Sequence, residues 1–185
     1  MLKEINAVLA EADLLANEQQ IAIAIMQIAE QINTLLADRN PLVLGVMNGG
    51  LVFTGQLLPK LTIALTLDSI NASRYHDQTS SGAIEWVNTP RTSVKGRTVL
   101  IVDDILDEGI TLAAIYEYCY AHGATAIYSA VLVNKLLGHS KAIYADFIGL
   151  NLENRYLFGY GMDYKGYLRN APGIYACKAQ HEDQQ

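Results

Sequence analysis

Three aspartates spaced as Asp103-Asp104-Ile105-Leu106-Asp107, followed by Glu108-Gly109-Ile110-Thr111, are the residues whose types could do chemistry together. Ahead of them, Val99, Leu100, Ile101 and Val102 form the short unbroken apolar run of a parallel strand covered on both faces. Open α/β sheets take ligands outside the carboxyl ends of such strands, which puts Asp103 and Asp104 where a ligand would sit. Gly109 allows close backbone approach, and the first amides of a helix starting near Thr111 can hold a phosphate with no basic side chain. The carboxylates are then left for sugar hydroxyls or for a hard cation such as magnesium. This is the outline of a phosphorylated-sugar site.

The elements around that segment alternate between strand and helix. Ile21, Ile25, Ile28, Ile32 and Leu35 recur at steps of four and three, marking an amphipathic helix, with Asn17 and Gln20 placed as a capping pair. After Pro41, Leu42 to Met47 reads as the first core strand, followed by Asn48, Gly49 and Gly50 and a helix through Phe53, Leu57 and Leu58. Ile63 to Ile70 is the next expected strand. Asn71 to Ala83 is polar and serine-rich, a loop long enough to move, and Ile84 to Val87 could return from it as the second arm of a hairpin. Strands over Thr98 to Asp103, Ala126 to Val133 and Tyr144 to Ile148, around a helix from Thr111 to His122, complete an α/β pattern with a parallel sheet. Residues 179–185 are polar enough to predict a disordered tail.

Composition narrows the classes of function. With 185 residues and 51% apolar side chains the chain can bury a full core, and no apolar span or leader is long enough for a membrane or a signal peptide, which predicts a cytoplasmic protein. Its net charge of −6 disfavours a nucleic-acid surface, and the eleven tyrosines have no basic stripe beside them. Cys119 and Cys177 are too few and too isolated for a disulfide framework or a zinc cluster. His76, His122 and His139 show no ligand spacing and are assigned no metal or catalytic role.

The strand, the acidic pair, Asp107, Gly109 and Thr111 together resemble the ribose-phosphate motif of the type I phosphoribosyltransferases. Four further segments, in order, are similar to those of the hypoxanthine-guanine purine phosphoribosyltransferases. Gly45-Val46-Met47-Asn48-Gly49-Gly50 resembles the family's pyrophosphate loop, and Arg74-Tyr75 falls at its mobile lid. Leu132-Val133-Asn134-Lys135 resembles the strand end carrying the purine-contacting lysine, and the run from Tyr156 to Tyr164 resembles the purine-stacking and metal segment, with Arg169 beyond it. Read from the residues alone, the acidic turn also admits a plain solvated strand-to-helix connection or a phosphoacceptor receiver domain. A receiver, however, opens with its acidic strand, whereas 98 residues precede Val99 here.

The resemblance implies a single domain over residues 1–178, with a core at about 40–150 and helices on both faces. A small hood would come from the N-terminal helices and residues 150–178. It implies transfer of a 5-phosphoribosyl group from phosphoribosyl pyrophosphate to a purine base, with Mg2+, in a homodimer or homotetramer. A weakly active regulator that senses nucleotides on the same fold is the alternative. By resemblance, Asp103 and Asp104 hold the ribose and help place a metal ion, Asp163 ligates Mg2+, and Asp107 is the general base. Asp107, Glu108, Gly109, Ile110 and Thr111 would hold the 5′-phosphate; Asn48, Gly49, Arg74, Tyr75 and Arg169 the pyrophosphate; Lys135, Tyr156, Leu157 and Asp163 the purine. Three residues depart from the family pattern. Glu108 replaces a hydroxyl residue, which demands that its carboxylate turn outward or meet a cation. Asn48 replaces a base, and Arg74, replacing a lid serine, could restore that charge. Ile110, apolar in a phosphate loop, is expected to pack against the sheet.

Overall fold

The computed structural model describes residues 1–74 and 84–182. Its main sheet has six strands: β2 (Leu42–Val46), β3 (Thr66–Arg74), β4 (Ile84–Asn88), β5 (Thr98–Leu106), β6 (Ala126–Leu136) and β7 (Phe147–Glu153). They lie in the order β4-β3-β2-β5-β6-β7, parallel except for β4, which pairs antiparallel with β3 at the edge. The expected hairpin arm is thus β4. The strand expected over Ile63 to Ile70 lies further along, at β3, so Asn71 to Arg74 belong to a strand and not to a loop. Ile63 and Leu65 are partly buried against the core ahead of it, which accounts for their apolar signal. The strand expected at Tyr144 to Ile148 is likewise displaced, to β7.

Alternate residues of the central strands feed two cores. On one face Val43, Leu100, Val102, Ala130 and Leu132 pack with Ile21, Ile25, Ile28 and Ile32 of α2 (Glu18–Leu35) and with Phe53 and Leu57 of α3 (Gly50–Leu57). On the other, Leu42, Leu44, Val99, Ile101 and Val131 pack with Leu112, Ile115 and Cys119 of α4 (Ile110–Ala121). Asn17 and Gln20 close a reciprocal capping box at the start of α2, each bond 2.9 Å long. Leu35, expected on the apolar stripe, is half exposed, and Leu36 is buried in its stead.

Both ends of the chain meet in a second sheet. β1 (Asp13–Ala16), β9 (Ile174–Ala176) and β8 (Leu157–Phe158) pair antiparallel in the order β1-β9-β8. α1 (Leu2–Glu11) covers it through Ile5 and Val8, which pack with Phe158, Tyr164 and Cys177. Asp13 ties the ends together, taking Arg155 at 2.8 Å and Lys178 at 2.5 Å. The tail expected to be disordered starts as a one-turn helix, α5 (Ala179–Glu182). It is anchored because His181 and Gln180 reach Glu11, at 2.9 and 2.6 Å. Among the described residues no helix is long and apolar enough to cross a membrane.

The capping box fixes where α2 begins. Asn17→Ala is expected to cost about 1 kcal/mol and to lower the melting temperature by about 2–4 °C, with Asn17→Asp close to wild type. Thermal unfolding of the two variants side by side checks this, and an unchanged melting temperature in Asn17→Ala would remove the cap from the account.

Candidate active site

Asp103 and Asp104 occupy the carboxyl end of β5, as its apolar run predicts, and both are buried. Each satisfies the amide that follows it: Asp103 Oδ1 accepts from Asp104 N at 2.9 Å, and Asp104 Oδ1 from Ile105 N at 2.8 Å. Burial pushes the Asp103 carboxyl well above the usual carboxylate range, and the neighbouring Asp104 charge adds to the rise. Burial raises Asp104 as well, opposed by hydrogen bonds to its ionised form and by the positive charge of Arg169.

Other backbones come very close to this pair. A Cβ on Gly49, in the turn between β2 and α3, would stand 2.1 Å from Asp104 Oδ2, so only glycine fits there. Gly161, at φ +108°, lies so tightly on the other side that a Cβ would meet the Gly49 carbonyl oxygen at 2.2 Å. The run that follows β8 is thereby docked onto the β2–α3 turn. Within this run Arg169 donates from Nη1 to the Gly161 carbonyl at 2.7 Å and pairs through Nη2 with Asp163 Oδ1 at 2.7 Å. The second Asp163 oxygen accepts from Gly166 N at 2.7 Å.

Two adjoining clefts result. The first, about 310 Å3, is lined by Asn48 and Gly49, the run Asp103 to Leu112, Asp163 and Arg169. It receives the start of α4, whose N-cap Gly109 is left-handed at φ +81° and offers no side-chain cap, so the first amides of the helix are left open to an anion. The second, about 370 Å3, is lined by Lys135, Tyr156, Leu157 and Met162 and shares Asp104, Ile105, Asp107 and Asp163 with the first. Lys135, at the end of β6, pairs with Asp107 at 3.1 Å. Tyr156 is braced edge-on by Tyr164, ring centres 5.6 Å apart, and Leu157 is buried in β8.

Most of the residues expected to act together are therefore brought together: Asn48, Gly49, Asp103 to Thr111 and Arg169 around one cleft, Lys135, Tyr156 and Leu157 around the other, with Asp163 between them. Arg74 ends β3; its side chain, and Tyr75 entirely, lie outside the described residues. Ile110 does not pack against the sheet as expected: as the first residue of α4 it is 37% exposed. Glu108 turns to His139, 3.7 Å away. His139 was expected to have no role, and Lys141, whose ammonium reaches the Leu106 carbonyl at 2.6 Å, carries no motif at all. Polar side chains set opposite the Glu108 carboxylate and the Leu106 carbonyl are the signal that could have found them.

Carboxylate oxygens in this arrangement suit a hard cation of the magnesium kind, which needs one or two protein ligands when a substrate phosphate supplies others. No cluster of three or more potential ligands is present among the described residues.

The description "Phosphoribosyl transferase domain" fits a family model matching residues 11–165. Among curated relatives, the hypoxanthine-guanine phosphoribosyltransferase of Bacillus subtilis is 33% identical over 89% of this chain and 92% of its own length. A bifunctional TilS/HprT protein of Listeria innocua is 33% identical over 90% of this chain, which spans only 26% of that longer relative. The solved hypoxanthine phosphoribosyltransferase of Trypanosoma cruzi, in complex with the product IMP, superposes with a TM-score of 0.83 at 29% identity, covering 92% of this chain and 95% of that one. The chain belongs to the phosphoribosyltransferase family, in its hypoxanthine-guanine group.

Burying two adjacent acids has a cost that pH exposes. Because the folded Asp103 carboxyl titrates above its unfolded value, the native state holds the proton more tightly, and stability falls as pH rises from about 4 through the folded value. Asp103→Asn lacks that slope while its side-chain oxygen can still accept from Asp104 N. Without ligand at pH 7 it is expected to melt at least about 2 °C above wild type, the gain vanishing toward pH 3.5. Melting curves across that range check it, and a variant less stable at pH 7 than at pH 4, relative to wild type, would contradict it.

Proposed function

We propose that the chain transfers the 5-phosphoribosyl group of phosphoribosyl pyrophosphate to hypoxanthine or guanine, releasing pyrophosphate and a nucleoside monophosphate. The observation that carries this reading is the pair of clefts meeting at Asp104, Ile105, Asp107 and Asp163: one furnished for a phosphorylated sugar, the other for a planar base. The names of the Bacillus and Trypanosoma relatives support the same substrates.

In the first cleft the amides from Glu108 to Thr111 hold the 5′-phosphate, and Asp103 and Asp104 accept hydrogen bonds from the ribose hydroxyls. Glycine and amide groups at Asn48 and Gly49 face the diphosphate, with Arg169 beside it. In the second cleft Tyr156 stacks on the purine, and the Leu157 backbone reads the ring edge. A 6-oxopurine arriving here offers an acceptor to Lys135 and a ring N–H to Asp107, so the Lys135–Asp107 ion pair is exchanged for two contacts with the base. Asp107 then takes the imidazole-ring proton as general base.

As the bond at ribose C1 breaks, positive charge builds on the sugar and negative charge on the departing diphosphate. Fixed donors aimed at that diphosphate lower the barrier because they need no reorganisation as the charge develops. Asp103 and Asp104 would help place a second Mg2+ beside the ribose, and Asp163 would hold the Mg2+ that, when bound, spreads the diphosphate's charge. Asp163 must loosen its pairing with Arg169 to do so. Self-association is read from the hollow of about 370 Å3 between α3 and β3, where Leu51 and Leu67 are each more than half exposed. The cytoplasm, where free purines and sugar phosphates are found, is the compartment this reaction suits.

The test is product formation from phosphoribosyl pyrophosphate, Mg2+ and hypoxanthine, guanine, xanthine or adenine in turn. Turnover with the first two is expected, and turnover with adenine alone would overturn the reading. Asp107→Asn is expected to keep substrate binding and lose about 100- to 10,000-fold in kcat; near wild-type kcat would remove Asp107 as the base. Lys135→Ala should raise KM for the 6-oxopurines far more than KM for phosphoribosyl pyrophosphate, and equal effects on both would count against its role.

A further inference from the structure

The link from β6 to β7, residues 137–146, joins two parallel strands without a helix. It runs along the acidic loop after β5. Ala142 N donates to the Glu108 carbonyl at 3.0 Å, and a Cβ on Gly109 would touch the Ile143 backbone at 3.1 Å. Lys141 is the only side chain of this link that reaches the strand ends themselves, giving hydrogen bonds to the Leu106 carbonyl at 2.6 Å and to Asn134 Oδ1 at 2.9 Å. Asn134 Nδ2 in turn donates to Asn151 Oδ1 at 2.7 Å. A line of hydrogen bonds therefore crosses the carboxyl ends of β7, β6 and β5. It ends at Leu106, the residue before Asp107, and on its way to Asn151 passes through Asn134, the residue before Lys135.

We propose that Lys141 is a positioning residue for the transfer reaction, holding Asp107 and Lys135 in register through the Leu106 carbonyl and Asn134. The proposal rests on the roles given above to Asp107 and Lys135. Lys135 stands on β6 and Asp107 just beyond the end of β5, and the two must address one purine. Each is reached by a long side chain or a loop, and neither β5 nor β6 fixes the other beyond the last backbone pairing, Leu106 with Asn134. Lys141 bridges that last pair. Its charge also faces Asp107 and Glu108, offsetting two acids next to the place where a phosphate binds. Burial draws the Lys141 ammonium below its ordinary range, and those acids oppose the shift, which places the group in a partly dry site where its contacts are strong.

The experiment compares wild type with Lys141→Met, Lys141→Arg, Asn134→Ala and the Lys141→Met/Asn134→Ala double variant. Steady-state kinetics with hypoxanthine is paired with amide hydrogen exchange. Misplacing reacting groups by about 1 Å can cost about 100-fold, so Lys141→Met should lower kcat by about 10- to 100-fold, with Lys141→Arg restoring most of it. Exchange at Ala142, whose amide is bonded to the Glu108 carbonyl, should speed by about tenfold while Val99 to Val102 stay protected. The double variant should be no slower than the slower single, because both break one line. A merely structural role would lower the melting temperature and leave kcat within about twofold of wild type, and that result, or strictly additive losses, overturns the proposal. An active wild type with Lys141→Met equally active overturns the proposal alone. A wild type that transfers nothing to any purine overturns the functional reading and this inference with it.

Discussion

Burial of two neighbouring carboxylates at the end of a central strand is the constraint on which the rest of the structure depends. Asp103 and Asp104 are kept from water by backbone that comes nearer than any side chain would allow: Gly49 on one side of Asp104, and Gly161 behind Gly49. Their oxygens accept from the amides that follow them, and the positive charge of Arg169 favours the ionised form of Asp104. The arrangement is poor for stability and good for binding. A carboxylate already stripped of water and aimed into a cleft gives stronger hydrogen bonds to a sugar hydroxyl than one that must first be desolvated.

That constraint explains why both ends of the chain are drawn into one small sheet. The acids need a roof, and the roof must carry its own polar groups without burying them unpaired. β8 and β9 supply a rigid edge, and the turns from Gly159 to Ala171 close on themselves through paired backbone bonds. Arg169 holds the Gly161 carbonyl within the roof, and its positive charge acts on Asp104 in the floor. The same roof delivers Tyr156 and Leu157 to the second cleft and Asp163 to the boundary between the two. Sugar and base are thus served by different layers of the molecule, and Asp107, bonded to Lys135 across the boundary, is the point where they touch.

How much of this the sequence makes legible depends on how local the cause is. The buried β5 run and its acids are legible because four consecutive apolar residues and their carboxylates belong to one strand. The capping box of α2 is legible because its partners are three residues apart. The three-stranded sheet is not: β8 has two residues and β9 three, too short to show alternation, and Asp13 pairs with Ala176 from the far end of the chain. β3 is displaced from its expected place because Ile63 and Leu65 are apolar for packing beside the sheet rather than within it. Asn48, Lys135, Tyr156, Asp163 and Arg169 are legible as a site only through resemblance to a family. Nothing in their spacing says that they converge. Lys141 and His139 lie in a link with no regular structure, and their meaning appears only when the loop acids they face are in view.

The central claim is that one cleft takes the phosphoribosyl group and its neighbour the base. It is tested most directly by a crystal structure of the chain with inosine monophosphate, the product of transfer to hypoxanthine. The account predicts the phosphate on the amides of residues 108–111, the ribose hydroxyls on Asp103 and Asp104, and the purine over Tyr156 with its 6-oxygen at Lys135. A phosphate bound away from the start of α4, or a base lying outside the cleft of Lys135 and Tyr156, would contradict it.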